Sequence, residues 1–342
     1  MNSRSSILIL YTGGTIGMVK DEKTGVLRPF DFDNLIDQIP ALKLFDFSVD
    51  SYCFDPIMDS SNMNPEYWKK MVEVIESNYE SYDGFVVLHG SDTMSYTASA
   101  LSFMLQNLNK PIILTGSQLP MGVIRTDGRE NLITALEIAA AREDETPLIP
   151  EVCIYFENQL LRGNRTIKYN AQNFQAFLSP NYPALANCGI YIDYNRNAVH
   201  KPNFKKLNVY KEMDCNVAVL KLYPGISKNL VKSVLLNKEI KGVILETFGS
   251  GNAPDYPWFL SLLSDSIKQG TIIMNVTQCQ IGKVEMGKYE TSIKLKEMGI
   301  VSGRDITTEA AITKMMYLLG AFSDPEKVRE LLTISIVGEM SQ

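Results

Sequence analysis

The chain has 342 residues, 45% hydrophobic and 21% charged, a balance suited to a globular protein with room for more than one sizeable core. Its 33 basic and 39 acidic residues leave a net charge of −6, which argues against a nucleic-acid partner because such a partner needs a basic footprint. Five scattered cysteines form no C-x-x-C pair, and no apolar run approaches the roughly 20 residues of a membrane span; both point to a cytoplasmic protein with no membrane partner.

The polar start, 1–6, runs into an apolar stretch at Ile7–Leu10 that is too short for a signal-peptide core and reads as a buried strand. Asn64-Pro65 opens a helix, since Asn caps and Pro suits the first turn, and Trp68, Met71, Val72 and Ile75 follow at helical spacing. Phe85–Leu88, Ile112–Leu114 and Val152–Phe156 read as further strands, with helices over Thr93–Leu105 and Asn131–Ala141. This β-then-α order predicts a parallel sheet covered on both faces.

The polar stretch Asp193–Asp214 has no sustained period and reads as a linker. Alternation restarts at Val217–Leu222 and continues through a helix from Ser227, a strand at Gly242–Glu246, a helix around Trp258–Ile267 and a strand at Thr271–Val276. Helices at Glu309–Leu319 and Pro325–Leu332 close the pattern. The expectation is an α/β protein with a larger N-terminal parallel-sheet domain over 1–192, a linker over 193–214 and a smaller α/β domain over 215–342.

Two motifs sit directly after predicted strands, Thr12-Gly13-Gly14-Thr15-Ile16 and His89-Gly90-Ser91-Asp92-Thr93. In open parallel sheets the carboxyl edge is where ligands bind. Taken alone, the first motif is a glycine-rich turn whose threonine caps a helix, or a nucleophile loop. A dinucleotide loop is excluded because G-x-G-x-x-G needs glycine where Thr15 stands. Ser91-Asp92 alone reads equally well as the cap of the next helix. With only His89 and His200 in the chain, a Ser-His-Asp triad and a histidine-based metal site are both disfavoured; His89 reads as a support for the strand end.

These motifs, taken with Asp59-Ser60-Ser61-Asn62-Met63, Thr115-Gly116-Ser117-Gln118, the segment Arg162–Lys168, Gly249-Ser250-Gly251-Asn252 and Thr277-Gln278-Cys279, resemble the asparaginase/glutaminase superfamily, in its cytoplasmic bacterial branch. The resemblance runs the length of the chain in order. It implies hydrolysis of L-asparagine to L-aspartate and ammonia, with minor action on glutamine, no cofactor and no metal. Thr15 would be the nucleophile, Lys168 would polarise the Ser91 hydroxyl, and Asp92 would pair with the substrate α-ammonium. Asp59, Ser60 and Ser61 would hold the α-carboxylate, and Asn252 would reach a neighbouring subunit's site in a homodimer or homotetramer with shared active sites. The alternatives are a non-catalytic amino-acid sensor and an amidase subunit acting on aminoacyl-tRNA; the retained Thr15, Asp92 and Lys168 disfavour the first and the acidic charge the second.

Three departures from the family pattern stand out. Ser91 replaces a threonine, keeping the hydroxyl and losing a methyl. The loop Thr24–Arg28 carries no tyrosine, which makes Tyr289, from an adjacent subunit, the expected substitute. Some members use an arginine before the glycine-rich loop to bind asparagine at a regulatory site, and here that position is Glu246, which cannot clamp a carboxylate.

Overall fold

A computed structural model describes residues 5–20, 27–29, 39–287 and 290–342. The described residues form two compact units, one ending at Lys211 and the other starting at Glu212.

The first unit is built on an eight-stranded sheet. In chain order its strands are β1 (Ser6–Tyr11), β2 (Ser48–Cys53), β3 (Gly84–Leu88), β4 (Ile112–Thr115), β5 (Val152–Phe156), β6 (Gln159–Arg162), β7 (Ala186–Cys188) and β8 (Ile192–Tyr194). Their order across the sheet is β8-β7-β6-β5-β4-β3-β1-β2. From β2 to β5 the pairing is parallel, as the apolar runs predict. β3 is buried along its whole length, and β1 is buried from Ile7 onward. Strands covered on both faces read as continuous apolar runs for that reason.

Beyond β5 the sheet turns antiparallel, which the sequence reading did not anticipate. The cause is local. Only two residues, Glu157 and Asn158, join β5 to β6, and both take positive φ, 39° and 66°. A two-residue connection can only make a hairpin, and two positive φ values match the twist of its strands. Edge strand β2 was also missed, because its sequence SVDSYC is polar and its residues are mostly exposed.

Helices α1 (Pro65–Asn78), α2 (Met94–Met104) and α3 (Gly128–Ala140) pack within this unit. Asn64 caps α1 by accepting from the backbone N–H of Glu66 and Tyr67, and the four apolar residues read at helical spacing are its buried stripe. Within 193–214, Tyr194 completes β8, and Asn208–Val209 pairs with Leu105–Gln106 of the same unit.

The second unit carries four parallel strands in the order β9 (Val217–Lys221), β10 (Gly242–Thr247), β11 (Ile272–Thr277) and β12 (Val301–Ser302). Its helices are α4 (Lys228–Leu235), α5 (Pro257–Lys268), α6 (Glu290–Glu297), α7 (Thr308–Ala321) and α8 (Pro325–Thr333). Val231, Leu235, Val243, Leu245, Phe259, Leu263 and Ile273 form one core cluster between them.

A buried ion pair ties the C-terminal segment to this unit. Lys314 Nζ on α7 lies 2.7 Å from Glu339 Oε1, with both side chains fully buried. The ammonium also donates to the Ile334 carbonyl at 2.6 Å, and the carboxylate accepts from the backbone N–H of Ile336 and Val337. Removing one partner leaves the other charge buried and unpaired. Lys314→Met is therefore expected to destabilise the second unit by about 3 kcal/mol, and the double variant with Glu339→Leu to recover most of that. Denaturant unfolding of wild type, both single variants and the double variant checks this; additive losses would show that the pair is not coupled.

Candidate active site

The site begins where β1 and β3 end side by side. Thr12, the first residue beyond β1, donates its N–H and its hydroxyl to the Leu88 carbonyl at 3.1 and 2.9 Å. Its own carbonyl accepts from Met58 N–H at 2.8 Å, drawing in the segment that carries Asp59-Ser60-Ser61. The backbone then turns at Gly14, where φ is 90°. A Cβ there would stand 2.5 Å from Gly90 N, so glycine is required both for the turn and for the approach to the second motif. A Cβ on Gly90 would in turn stand 2.6 Å from Ser60 Cβ. The three motifs thus converge, the first two backbone against backbone and the third through the Ser60 side chain.

Thr15 starts a single 3-10 turn, Thr15–Gly17, and is half-buried. No described residue hydrogen-bonds its hydroxyl. The buried Tyr11 phenol steadies the far end of the turn by donating to the Gly17 carbonyl at 3.1 Å, and burial raises its pKa above the usual phenol range.

Lys168 meets the second motif. Its Nζ donates to Ser91 Oγ at 2.8 Å and to Asp92 Oδ1 at 2.6 Å. The ammonium side chain is 18% exposed and that of Asp92 is 66% exposed. Asp92 Oδ2 has no partner among the described residues. The helix-cap reading of Ser91-Asp92 does not hold in the structure: α2 is preceded by Thr93, no side chain caps it, and the Thr93 hydroxyl donates to the Ser60 carbonyl at 2.7 Å.

Lys168 is positioned by its own segment. Ile167–Lys168 pairs with Phe177–Leu178, and the ring of Phe177 packs on Phe156 with centroids 5.0 Å apart. Upstream, the Thr166 hydroxyl donates to the Arg162 carbonyl, and the buried Arg162 guanidinium pairs with Glu151 at 2.6 Å beneath the Tyr182 ring. The segment Arg162–Lys168 is therefore a brace that ends in the ammonium meeting Ser91 and Asp92.

Asp59 spends one carboxylate oxygen locally. Its Oδ1 accepts from Ser61 N–H at 2.9 Å and from the Ser61 hydroxyl at 2.8 Å, and these bonds hold the carboxyl below its ordinary pKa. The 115–118 motif is likewise structural. The Thr115 hydroxyl donates to the Tyr155 carbonyl, and Asp127 accepts from Gln118 and Leu119 N–H.

His89 is fully buried and its pKa is pushed down to about 4 by burial. Its Nδ1 lies 2.6 Å from the Gly90 carbonyl and its Nε2 lies 2.9 Å from Thr97 Oγ1, so it does support the strand end. Thr97 and Trp68 were missed as contributors because their helical spacing reads as ordinary core.

In the second unit, Asn252 closes a small turn with Phe248, and its Oδ1 accepts from Thr291 at 3.3 Å. Glu246, at the carboxyl end of β10, accepts from the Thr308 hydroxyl at 2.7 Å and lies 3.3 Å from Lys221 Nζ. Tyr289 lies outside the described residues. Among the described residues no three His, Cys, Asp or Glu side chains gather as a metal-binding group, and no helix is long and apolar enough to cross a membrane.

The "Asparaginase, N-terminal" family model matches residues 6–200, and the "Glutaminase/Asparaginase C-terminal domain" model matches residues 216–332. L-asparaginase 1 of Escherichia coli is 41% identical over 341 residues, 99% of this chain and 98% of that protein. The 60 kDa lysophospholipase of Mus musculus is 40% identical and covers all of this chain, which spans 63% of that longer protein. The crystal structure of L-asparaginase I from Vibrio cholerae superposes with a TM-score of 0.89 at 40% identity, covering 99% of this chain and 100% of that one. The chain belongs to the asparaginase/glutaminase family.

Proposed function

We propose that this protein is an L-asparaginase, hydrolysing L-asparagine to L-aspartate and ammonia, with glutamine as a minor substrate. The observation that carries the reading is the Lys168–Ser91–Asp92 cluster beside the Gly14–Thr15 turn, where the side chains face one another instead of capping the helix. The names of its relatives support the same activity.

In this reading the Thr15 hydroxyl attacks the side-chain amide carbon and gives up its proton as the bond forms. The amide nitrogen takes a proton and leaves as ammonia. Water then cleaves the β-aspartyl ester and returns the hydroxyl to Thr15. Lys168 polarises Ser91, which passes protons and aligns the water. The unpaired oxygen of Asp92 receives the substrate α-ammonium. Asp59, by orienting Ser61, prepares the Ser60–Ser61 turn for the α-carboxylate, and backbone N–H groups of the turns stabilise the oxyanion. Tyr289 takes the place of the missing loop tyrosine, and Asn252 completes a neighbouring subunit's site in a cytoplasmic homodimer or homotetramer. The reaction needs no cofactor.

Thr15→Ala is expected to lower ammonia release from asparagine by roughly 10⁴-fold while binding of aspartate, read by calorimetry, persists. Near-normal turnover in that variant would remove Thr15 from the mechanism.

Glu246 bears on regulation. Its carboxylate is already engaged by Thr308 and Lys221, and it repels the carboxylate of a second asparagine. Initial rates against asparagine concentration are expected to be hyperbolic, with a Hill coefficient of about 1. A sigmoidal curve would show coupling by another route.

A further inference from the structure

A chain of buried hydrogen bonds runs from helix α1 to the second motif. The Trp68 indole Nε1–H donates to Thr97 Oγ1 at 3.0 Å. Thr97 Oγ1 lies 2.9 Å from His89 Nε2, and His89 Nδ1 lies 2.6 Å from the Gly90 carbonyl. Thr97 and His89 are fully buried and Trp68 is 5% exposed.

The chain has a single allowed direction. An indole N–H can only donate, so Thr97 Oγ1 accepts there and has its own hydrogen left for His89. The Gly90 carbonyl can only accept, so Nδ1 carries the ring proton, and in the neutral ring Nε2 is the acceptor of the Thr97 hydrogen. Thr97 also differs from three other buried helical hydroxyls. Those of Ser99, Ser102 and Thr313 donate to the carbonyl four residues back, whereas that of Thr97 is directed at the histidine.

The far end of the chain is the Gly90–Ser91 peptide. Its carbonyl is drawn inward to His89, and in a planar trans peptide the N–H points the opposite way. The Ser91 N–H therefore faces away from the buried ring, and no described group accepts from it. Ser91 is the same residue that Lys168 contacts through Oγ.

We infer that Trp68, Thr97 and His89 are positioning residues that hold the plane of the Gly90–Ser91 peptide and so aim the Ser91 amide and hydroxyl at the reacting carbonyl. This rests on the proposed function for its kinetic part only. The tautomer it requires is a property of the protein alone.

Two histidines make the test direct. Nitrogen-15 spectra of the full chain, with His200→Gln to assign signals, should show His89 neutral with its proton on Nδ1. Thr97→Val, nearly the same shape, removes the hydroxyl and should leave Nε2 without its donor, shifting the Nε2 resonance while the Gly90 carbonyl keeps the proton on Nδ1. It should also lower kcat for asparagine by roughly 10²-fold with KM changed less than about twofold. Thr97→Ser should restore both signals. Trp68→Phe removes the donor at the head of the chain and should shift the Nε2 resonance by a smaller amount, which keeps the inference testable if Thr97→Val folds poorly. A wild-type His89 protonated on Nε2, or a folded Thr97→Val with an unchanged Nε2 resonance and unchanged kcat, overturns it. If wild type releases no ammonia from asparagine, the functional reading fails, and the tautomer spectra decide the relay by themselves.

Discussion

Everything in the first unit's site hangs on one steric fact: the turn after β1 and the turn after β3 touch through backbone, at Gly14 and Gly90. Adjacent parallel strands place their carboxyl ends about 4.8 Å apart, so the turns that follow must either splay or interlock. Here they interlock because neither turn carries a side chain at the contact. The Leu88 carbonyl, taking two bonds from Thr12, fixes the register of one turn on the other. Ser60 fills the remaining side, and Thr93 pins it there through its carbonyl. A methyl added at Gly14 would meet the Gly90 backbone, and one added at Gly90 would meet the Ser60 side chain.

The sequence carried much of this. β1 and β3 were readable because strands buried on both faces must be apolar throughout. The candidate site was readable because hydroxyls, a carboxylate and glycines crowd into short segments beside those strands. What stayed hidden has specific causes. The β5–β6 hairpin lacks the glycine that usually marks such a turn, its positive φ values being carried by Glu157 and Asn158. Lys168 is 77 positions from Ser91, and only the matched segment around it singles it out. Trp68 and Thr97 show nothing but helical spacing, because a polar atom used inside a core leaves no trace in a hydrophobic pattern.

Burial has opposite consequences for the two ionisable groups closest to the motifs. His89 sits in a fully enclosed position where a charged ring would lose its hydration, and it remains neutral as a rigid connector. Lys168 keeps partial access to solvent and a carboxylate partner at 2.6 Å, and so remains next to the hydroxyl it contacts. The two groups differ in depth, His89 fully buried and the Lys168 side chain 18% exposed.

That separation also accounts for serine at position 91. A threonine there would be confined in χ1 by its branched Cβ, whereas serine can populate three staggered rotamers. The lost restraint is replaced from both ends of the residue. Lys168 holds Oγ at 2.8 Å, and the inward bond from His89 to the Gly90 carbonyl fixes the peptide from which the side chain springs. With both ends tied, the methyl is no longer needed to orient the hydroxyl.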